Sequence, residues 1–141
     1  MKTNTIQSTK IKEITRSWHC IDVKGKVLGR IATEIAEKLM GKGKSNFVRH
    51  LDCGDYVVVI NSAFVETTGK KEDQKMYGNY SGYPGGFKEK ALWQIRKEKP
   101  NEMIRHAVWG MLPTNKLRDR LVTRLYIYPD EKHPYGDKFT K

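Results

Sequence analysis

The sequence predicts an α/β fold, and two patterns support that prediction. Six apolar residues recur at the spacing of one helix face: Leu28, Ile31, Ala32, Ile35, Ala36 and Leu39. This helix lies between two segments rich in β-branched and aromatic residues, 18–23 and 56–60. Strand, helix and strand in that order form a βαβ unit with parallel strands and a right-handed crossover. Segment 56–60 reads YVVVI, which is typical of a strand buried on both faces.

The remaining elements follow from turn residues and shorter patterns. Up to residue 86 we expect an extended arm at 1–17, a turn at 24–26, a helix cap at Gly41, a basic loop at 42–44, a turn at 52–55, a short strand at 64–67, a turn at 68–71, an edge strand at 75–80 and a glycine-rich loop at 81–86. Beyond it we expect a helix at 88–99, a helix from an N-cap at Asn101 to Pro113, a short helix at 116–123 and a last strand at 125–128. Residues 18–129 then form a single domain, followed by a surface tail at 130–141.

The positive charge is concentrated in two blocks. The chain of 141 residues has a formal net charge of +11. Residues 1–44 and 86–124 each contain ten Lys or Arg against four Asp or Glu, whereas 45–85 and 125–141 are close to neutral. A solubilising charge would be spread more evenly. The two blocks therefore favour binding to a polyanion, most simply the phosphate backbone of a nucleic acid.

Composition argues against several other classes of protein. No apolar run approaches the 18 residues of a membrane span, and the polar N-terminus does not resemble a secretory signal. Two cysteines, Cys20 and Cys53, do not form a disulfide framework, so a reducing cytoplasm is the default expectation. An organellar targeting segment is the less favoured alternative.

Motifs for a metal or a nucleotide are incomplete. His19, Cys20, His50 and Cys53 offer zinc-binding atoms, but the first two are adjacent in a predicted strand and point to opposite faces. Buried, inert cysteines are therefore the favoured interpretation. The end of a P-loop is suggested by Gly43-Lys44-Ser45, but Lys38 stands where that motif needs glycine, and the helix precedes the loop.

Several basic and aromatic residues suit nucleic acid better. Lys42 and Lys44 alternate with glycines, which allow a backbone to approach a phosphate closely. Arg30 lies in the first turn of the long helix, where the helix dipole disfavours a cation unless a partner compensates; a solvated side chain is the alternative. Three tyrosines near Lys75 have the setting of side chains that stack on unpaired bases: Tyr77, Tyr80 and Tyr83.

A set of sequence blocks resembles one known family. The blocks are WHCIDVKGKVLGRIA at 18–32, GKGK at 41–44, GDYVVVIN at 54–61, TGKK at 68–71, SGYPGG at 81–86, AVWGMLP at 107–113 and HP at 133–134. They stand in the order found in the bacterial large-subunit ribosomal protein L13 family, which the chain resembles over 18–134. It departs from the family at Gly78-Asn79-Tyr80 and at Trp109, where basic residues are usual, and in the tail after Pro134.

The resemblance implies a three-layer α/β/α fold around a mostly parallel four-stranded sheet. It also implies a cytoplasmic, non-catalytic ribosomal protein that binds large-subunit rRNA early in assembly, beside neighbouring proteins, without cofactor, metal, membrane or small-molecule substrate. A small nucleotide-using α/β enzyme and a free regulatory RNA-binding protein are the alternatives. Together with the charge pattern, the resemblance predicts these RNA-binding residues: Lys24, Lys26, Arg30, Lys42, Lys44, Lys70, Lys71, Lys75, Tyr77, Lys116, Arg118, Arg120 and Arg124.

Overall fold

The computed structural model describes residues 10–139. The strands are β1 Trp18–Asp22, β2 Tyr56–Ile60, β3 Met76–Tyr80, β4 Phe87–Ala91 and β5 Leu125–Ile127. The helices are α1 Leu28–Met40, α2 Lys71–Gln74, α3 Leu92–Glu98, α4 Pro100–Met111 and α5 Arg118–Val122. Most of the predicted arm, residues 1–9, and the last two residues of the tail lie outside the described residues. Among the described helices, none has the length and apolar character needed to cross a membrane.

The central sheet has three parallel strands in the order β1-β2-β5. Val57 in the middle strand pairs with His19 on one side and Leu125 on the other. The α/β class and the βαβ unit are therefore confirmed. The four-stranded parallel sheet is wrong for residues 10–139, because β3 and β4 instead pair with each other as a separate antiparallel hairpin.

The predicted strand at 64–67 contributes only one isolated bridge, between Val27 and Glu66. Asn61 has a left-handed backbone with a φ of 63° and diverts the chain into a 3-10 turn, Ser62–Phe64, directly after β2. The chain still returns beside α1, because the Leu28 N–H donates to the Glu66 carbonyl at 2.9 Å. This contact places the start of α1 next to the segment that leads into α2.

Helix α1 buries the predicted apolar stripe. All six residues of the stripe are buried, and Gly41 ends the helix with a φ of 74°. The stripe packs against Val57 and Val59 of the sheet and against α4 in one hydrophobic core. Burial of the four leucine and isoleucine side chains contributes about 1.5–3 kcal/mol each, so α1 is fixed as a rigid platform whose two ends carry basic loops.

The opposite face of the sheet is aromatic. Trp18 stacks on Tyr56 with ring centroids 4.4 Å apart and lies 6.0 Å from Tyr126. Tyr135 and Phe139 of the C-terminal segment pack onto this row, at 5.1 and 6.4 Å from Trp18. The predicted surface tail therefore covers one face of the sheet.

Two of the differences from the sequence-based expectation concern the starts of α3 and α4. Residues 88–91 belong to β4 and not to a helix, because their backbone pairs with β3, with Lys90 opposite Tyr77. Helix α4 begins at Pro100, and Lys99 is the N-cap where Asn101 was expected. Proline suits the first helical position because it has no N–H to satisfy. Asn101 instead accepts a hydrogen bond from the buried Ser62 hydroxyl at 2.6 Å.

Candidate nucleic-acid interface

The basic residues predicted to bind RNA divide into two kinds. Nine are exposed: Lys24, Lys26, Arg30, Lys42, Lys70, Lys71, Lys75, Lys116 and Arg120. Lys44 and Arg118 are half-buried and Arg124 is buried. These three side chains make hydrogen bonds within the protein, which distinguish them from the nine exposed ones.

The first basic group lies at the N-terminal end of α1. It consists of Lys24, Lys26 and Arg30, together with Lys70, Lys71 and Lys75 near α2. The backbone contact between Leu28 and Glu66 brings the two segments together. Lys24 lies over the exposed Phe64 ring at 5.7 Å. A phosphate backbone could meet several cations here at once.

The second basic group lies at the C-terminal end of α1 and around the start of α5. It consists of Lys42, Arg49, Lys116, Arg118 and Arg120. Arg118 is preorganised, since it donates to the carbonyl oxygens of Pro113 and Leu112 at 3.1 and 2.8 Å and stacks on Trp109 at 5.0 Å. Because α1 has 13 residues, about 20 Å separates the two groups.

Lys44 belongs to an internal network at the C-terminal end of α1, beside the second basic group. Its ammonium donates to Asp55 and to the carbonyl oxygens of Thr15 and Cys53, at 2.7 and 2.9 Å for the carbonyls. Asp55 is 5% exposed and also accepts from the Ser17 N–H and contacts His19 Nε2, both at 2.9 Å. Burial alone would raise the pKa of Asp55, but these hydrogen bonds, led by that from Lys44, outweigh it and lower the pKa.

Arg124 forms a second internal pair. Both guanidinium Nη atoms contact the two carboxylate oxygens of Asp52, and the distance is 2.6 Å for Nη1. Arg16 adds a hydrogen bond to Asp52 at 3.3 Å and another to the Gly54 carbonyl at 2.9 Å. Burial opposes ionisation of Asp52, yet the two arginines hold its pKa below the usual value. We call Arg16, Lys44, Arg124, Asp52 and Asp55 the anchored cluster.

Glycine allows the anchored cluster to form against α1. A Cβ on Gly54 would lie 1.6 Å from the Leu39 carbonyl oxygen and 2.8 Å from Arg124 Nη2. A Cβ on Gly41 would lie 2.4 Å from the Cys53 carbonyl oxygen. The turn at 52–55 therefore packs directly on the end of α1. The predicted turn at 52–55 includes a hydrogen bond of 3.4 Å from the Gly54 N–H to Asp52 Oδ1, and Asp52 also pairs with Arg124.

Tyr77 and the neighbouring tyrosines occupy different environments. Tyr77 is half-buried, with its ring 5.4 Å from that of His106 and beneath the Lys75 ammonium at 5.3 Å. Its position is that of a residue joining the hairpin to the core. Tyr80 and Tyr83 are 60% and 75% exposed, so of the three tyrosines they are the ones with free ring faces.

The four residues weighed for zinc do not converge. His19 contacts Asp55, and Cys20 lies on the opposite face of β1, where it is exposed, so its predicted burial is wrong. Cys53 is buried, with its Sγ 3.8 Å from the Asn46 carbonyl. Within residues 10–139, no group of three or more His, Cys, Asp or Glu side chains has the arrangement of a metal site.

Sequence reasoning missed two residues of the second basic group's neighbourhood, Phe47 and Arg49. They lie in the loop after α1 and line a cavity beside Lys42. The signal was present, since an aromatic residue two positions from an arginine in a basic loop is the same pattern that drew attention to the tyrosines.

Comparison with known proteins gives a single answer. The family model described as Ribosomal protein L13 matches residues 16–134. The large ribosomal subunit protein uL13 of Dehalococcoides mccartyi (strain ATCC BAA-2266) is 48% identical over 138 residues, covering 98% of this chain and 94% of the relative. Proteins of the same name from Chlorobium phaeobacteroides and Clostridioides difficile are 47% and 48% identical, over 93% and 90% of this chain and 88% and 89% of theirs.

Proposed function

Because the chain belongs to the ribosomal protein L13 family, we propose that it is a structural constituent of the large ribosomal subunit that binds large-subunit rRNA. The family match across residues 16–134 carries this conclusion. The charge of +11 and the two basic groups, whose cations are exposed except for the half-buried Arg118, support it, since they give a phosphate backbone two sites of contact on one small domain.

The proposed RNA-binding surface consists of the first and second basic groups. Lys44 and Arg124 are not part of it, because Asp55 and Asp52 hold their side chains inside the protein. Tyr77 also acts from within, by packing the hairpin on α4. The exposed lysines and arginines neutralise phosphates, and such contacts position a protein on RNA without reading its sequence.

The proposed role is binding and not catalysis. The half-buried Asp52 and the buried Asp55 have lowered pKa values and are paired with cations, which leaves them as fixed anions and not as proton donors or acceptors. The protein would act in the cytoplasm by holding rRNA segments at both ends of α1. A contact of this kind helps early subunit assembly because it fixes the relative position of two RNA segments before other proteins, its neighbours in the subunit, arrive.

Sedimentation of a cell lysate tests the proposal. The tagged full chain should migrate with large subunits on a sucrose gradient and remain with them through a high-salt wash. A variant with Lys42→Ala and Lys116→Ala should be released at lower salt, whereas the matched control Lys132→Ala with Lys138→Ala, exposed in the tail, should behave as the parent. Recovery of the parent chain only at the top of the gradient would contradict the proposal.

A further inference from the structure

A cavity adjoins the second basic group, between the loop after α1 and the segment that enters α5. Its volume is about 360 Å³, within the range of small-ligand sites. The walls are mainly apolar, formed by Met40, Leu51, Leu117 and Leu121, and Phe47 is the aromatic residue among them. The pocket therefore offers an apolar surface and the ring of Phe47 to a ligand.

The charge around this pocket distinguishes it from four other cavities of the protein. Lys42 and Arg49 lie in its lining and no carboxylate does. Four further cavities are each lined by at least one Asp or Glu, such as Asp55 or Glu98. A ligand with an apolar flat part and a negative part is complementary to this pocket alone among the five.

Both sides of the pocket are preorganised. The Phe47 N–H donates to the Lys44 carbonyl at 3.2 Å, and the Lys44 side chain is itself fixed by Asp55. On the opposite side, Asn115 Oδ1 accepts from the Leu117 N–H at 3.1 Å, which leaves the amide NH₂ of Asn115 as the donor end of that side chain. Little ordering is therefore needed when a ligand binds, and this favours affinity.

We propose that this pocket receives one unstacked base of large-subunit rRNA, with Phe47 against the face of the base and Lys42 and Arg49 on the adjoining phosphates. The inference rests on the proposed function and adds a site to it. Unpaired bases splayed from loops and bulges commonly stack on aromatic side chains, and the flanking phosphates bring the negative charge. An apolar side chain of a neighbouring protein would pack against the same walls of the pocket but would leave Lys42 and Arg49 without an anionic partner.

Ultraviolet crosslinking of the full chain to purified large-subunit rRNA tests the proposal without a variant. Trypsin cuts after Lys44 and Arg49, so it releases residues 45–49 as one peptide that contains Phe47. This peptide should carry the added mass of a nucleotide. Crosslinks confined to other peptides would overturn the proposal.

The variant Phe47→Leu adds a quantitative test, because it keeps an apolar side chain and removes the ring. Affinity for the same rRNA should fall about fivefold or more, as expected when one base–aromatic stack is lost. The salt dependence should not change, since no charge is removed. Trp93→Leu is the control, because Trp93 is 48% exposed on α3 and does not line the pocket; its affinity should match that of the parent.

The outcomes separate this inference from the proposed function. A parent chain that shows no salt-dependent binding to the rRNA would refute both. Normal binding by the parent with an affinity of Phe47→Leu within twofold of it would refute the pocket proposal alone. Unchanged rRNA affinity of Phe47→Leu together with weaker retention in assembled subunits would also overturn it, and would assign the pocket to a protein side chain.

Discussion

Lys42 and Lys44 are two residues apart in one basic loop, yet their surroundings are opposite. Lys42 is exposed in the second basic group. Lys44 is held by Asp55 and two backbone carbonyls in the anchored cluster, and its side chain is 21% exposed. The same contrast recurs in α5 and directly after it, where Arg120 is exposed and Arg124 is paired with Asp52. The count of 27 Lys and Arg therefore overstates the cations available to RNA, since some of them are paired with carboxylates inside the protein.

The anchored cluster and the second basic group are also mechanically linked. Lys44 fixes the start of the loop that carries Phe47 and Arg49, so an internal ion pair determines where the exposed groups lie. Substitutions in the anchored cluster should therefore act first on stability, and those in the basic group on RNA affinity. The four predictions below test that division, from the largest expected effect to the smallest.

Arg124→Gln should give the largest loss of stability. Asp52 would keep its weaker contacts with Arg16 and with the Gly54 N–H, and breaking a largely buried ion pair costs about 3–5 kcal/mol. Arg120 is the exposed third residue of α5, and Arg120→Gln should change the free energy of unfolding by no more than about 0.5 kcal/mol. Chemical denaturation of both variants checks the pair. Equal destabilisation by the two substitutions would contradict the division between the anchored cluster and the second basic group.

Leu112→Ala should have the next largest effect. Leu112 is 2% exposed in the core at the end of α4, and its carbonyl oxygen accepts a hydrogen bond from Arg118. Truncation should cost about 2–4 kcal/mol and should weaken RNA binding through lost order in 114–124, detectable as faster hydrogen exchange there. Met111→Ala is the matched control, since Met111 is 48% exposed. A Leu112→Ala protein with unaltered stability but abolished RNA binding would make this corner a contact surface.

Stability should fall on acidification because of the anchored cluster. The pKa values of Asp52 and Asp55 are lower in the folded protein than the ordinary aspartate value of about 3.9, so the unfolded state binds more protons at low pH. Their contribution is complete above that value and is lost as the pH falls through the lowered pKa values. Denaturation curves recorded across this pH range should show that the free energy of unfolding falls less steeply on acidification for Asp55→Asn than for the parent. Asp73 is an exposed aspartate on α2, so Asp73→Asn should show the same dependence of stability on pH as the parent. The same dependence in Asp55→Asn would contradict the account.

The sequence predicted those parts of the molecule whose cause is local. The stripe of α1 and the apolar run of β2 give clear periodic patterns, and Gly41 ends the helix as expected. The hairpin was not predicted in full because 88–91 has the charged composition of a helix surface, and its strand geometry depends on pairing with β3. Arg124 and Asp52 are 72 positions apart, so no local pattern could show that one cation of the predicted site is paired internally. Exposure of Arg30 and Lys42 was predictable, since helix ends and glycine-rich loops lie at the surface.

The smallest expected effect is a change in the salt dependence of RNA affinity. Its measurement tests most directly the central claim, that the basic residues divide into an anchored set and an RNA-binding set. We would measure the affinity of Lys42→Ala, Lys44→Ala and the parent for large-subunit rRNA as a function of salt, at a temperature where all three are folded. The slope of log affinity against log salt should be about 0.7–0.9 shallower for Lys42→Ala and unchanged for Lys44→Ala. The same Lys44→Ala protein should be less stable by about 2 kcal/mol, because Asp55 loses its main partner. Equal changes of slope in the two variants, or a change in Lys44→Ala alone, would contradict the division.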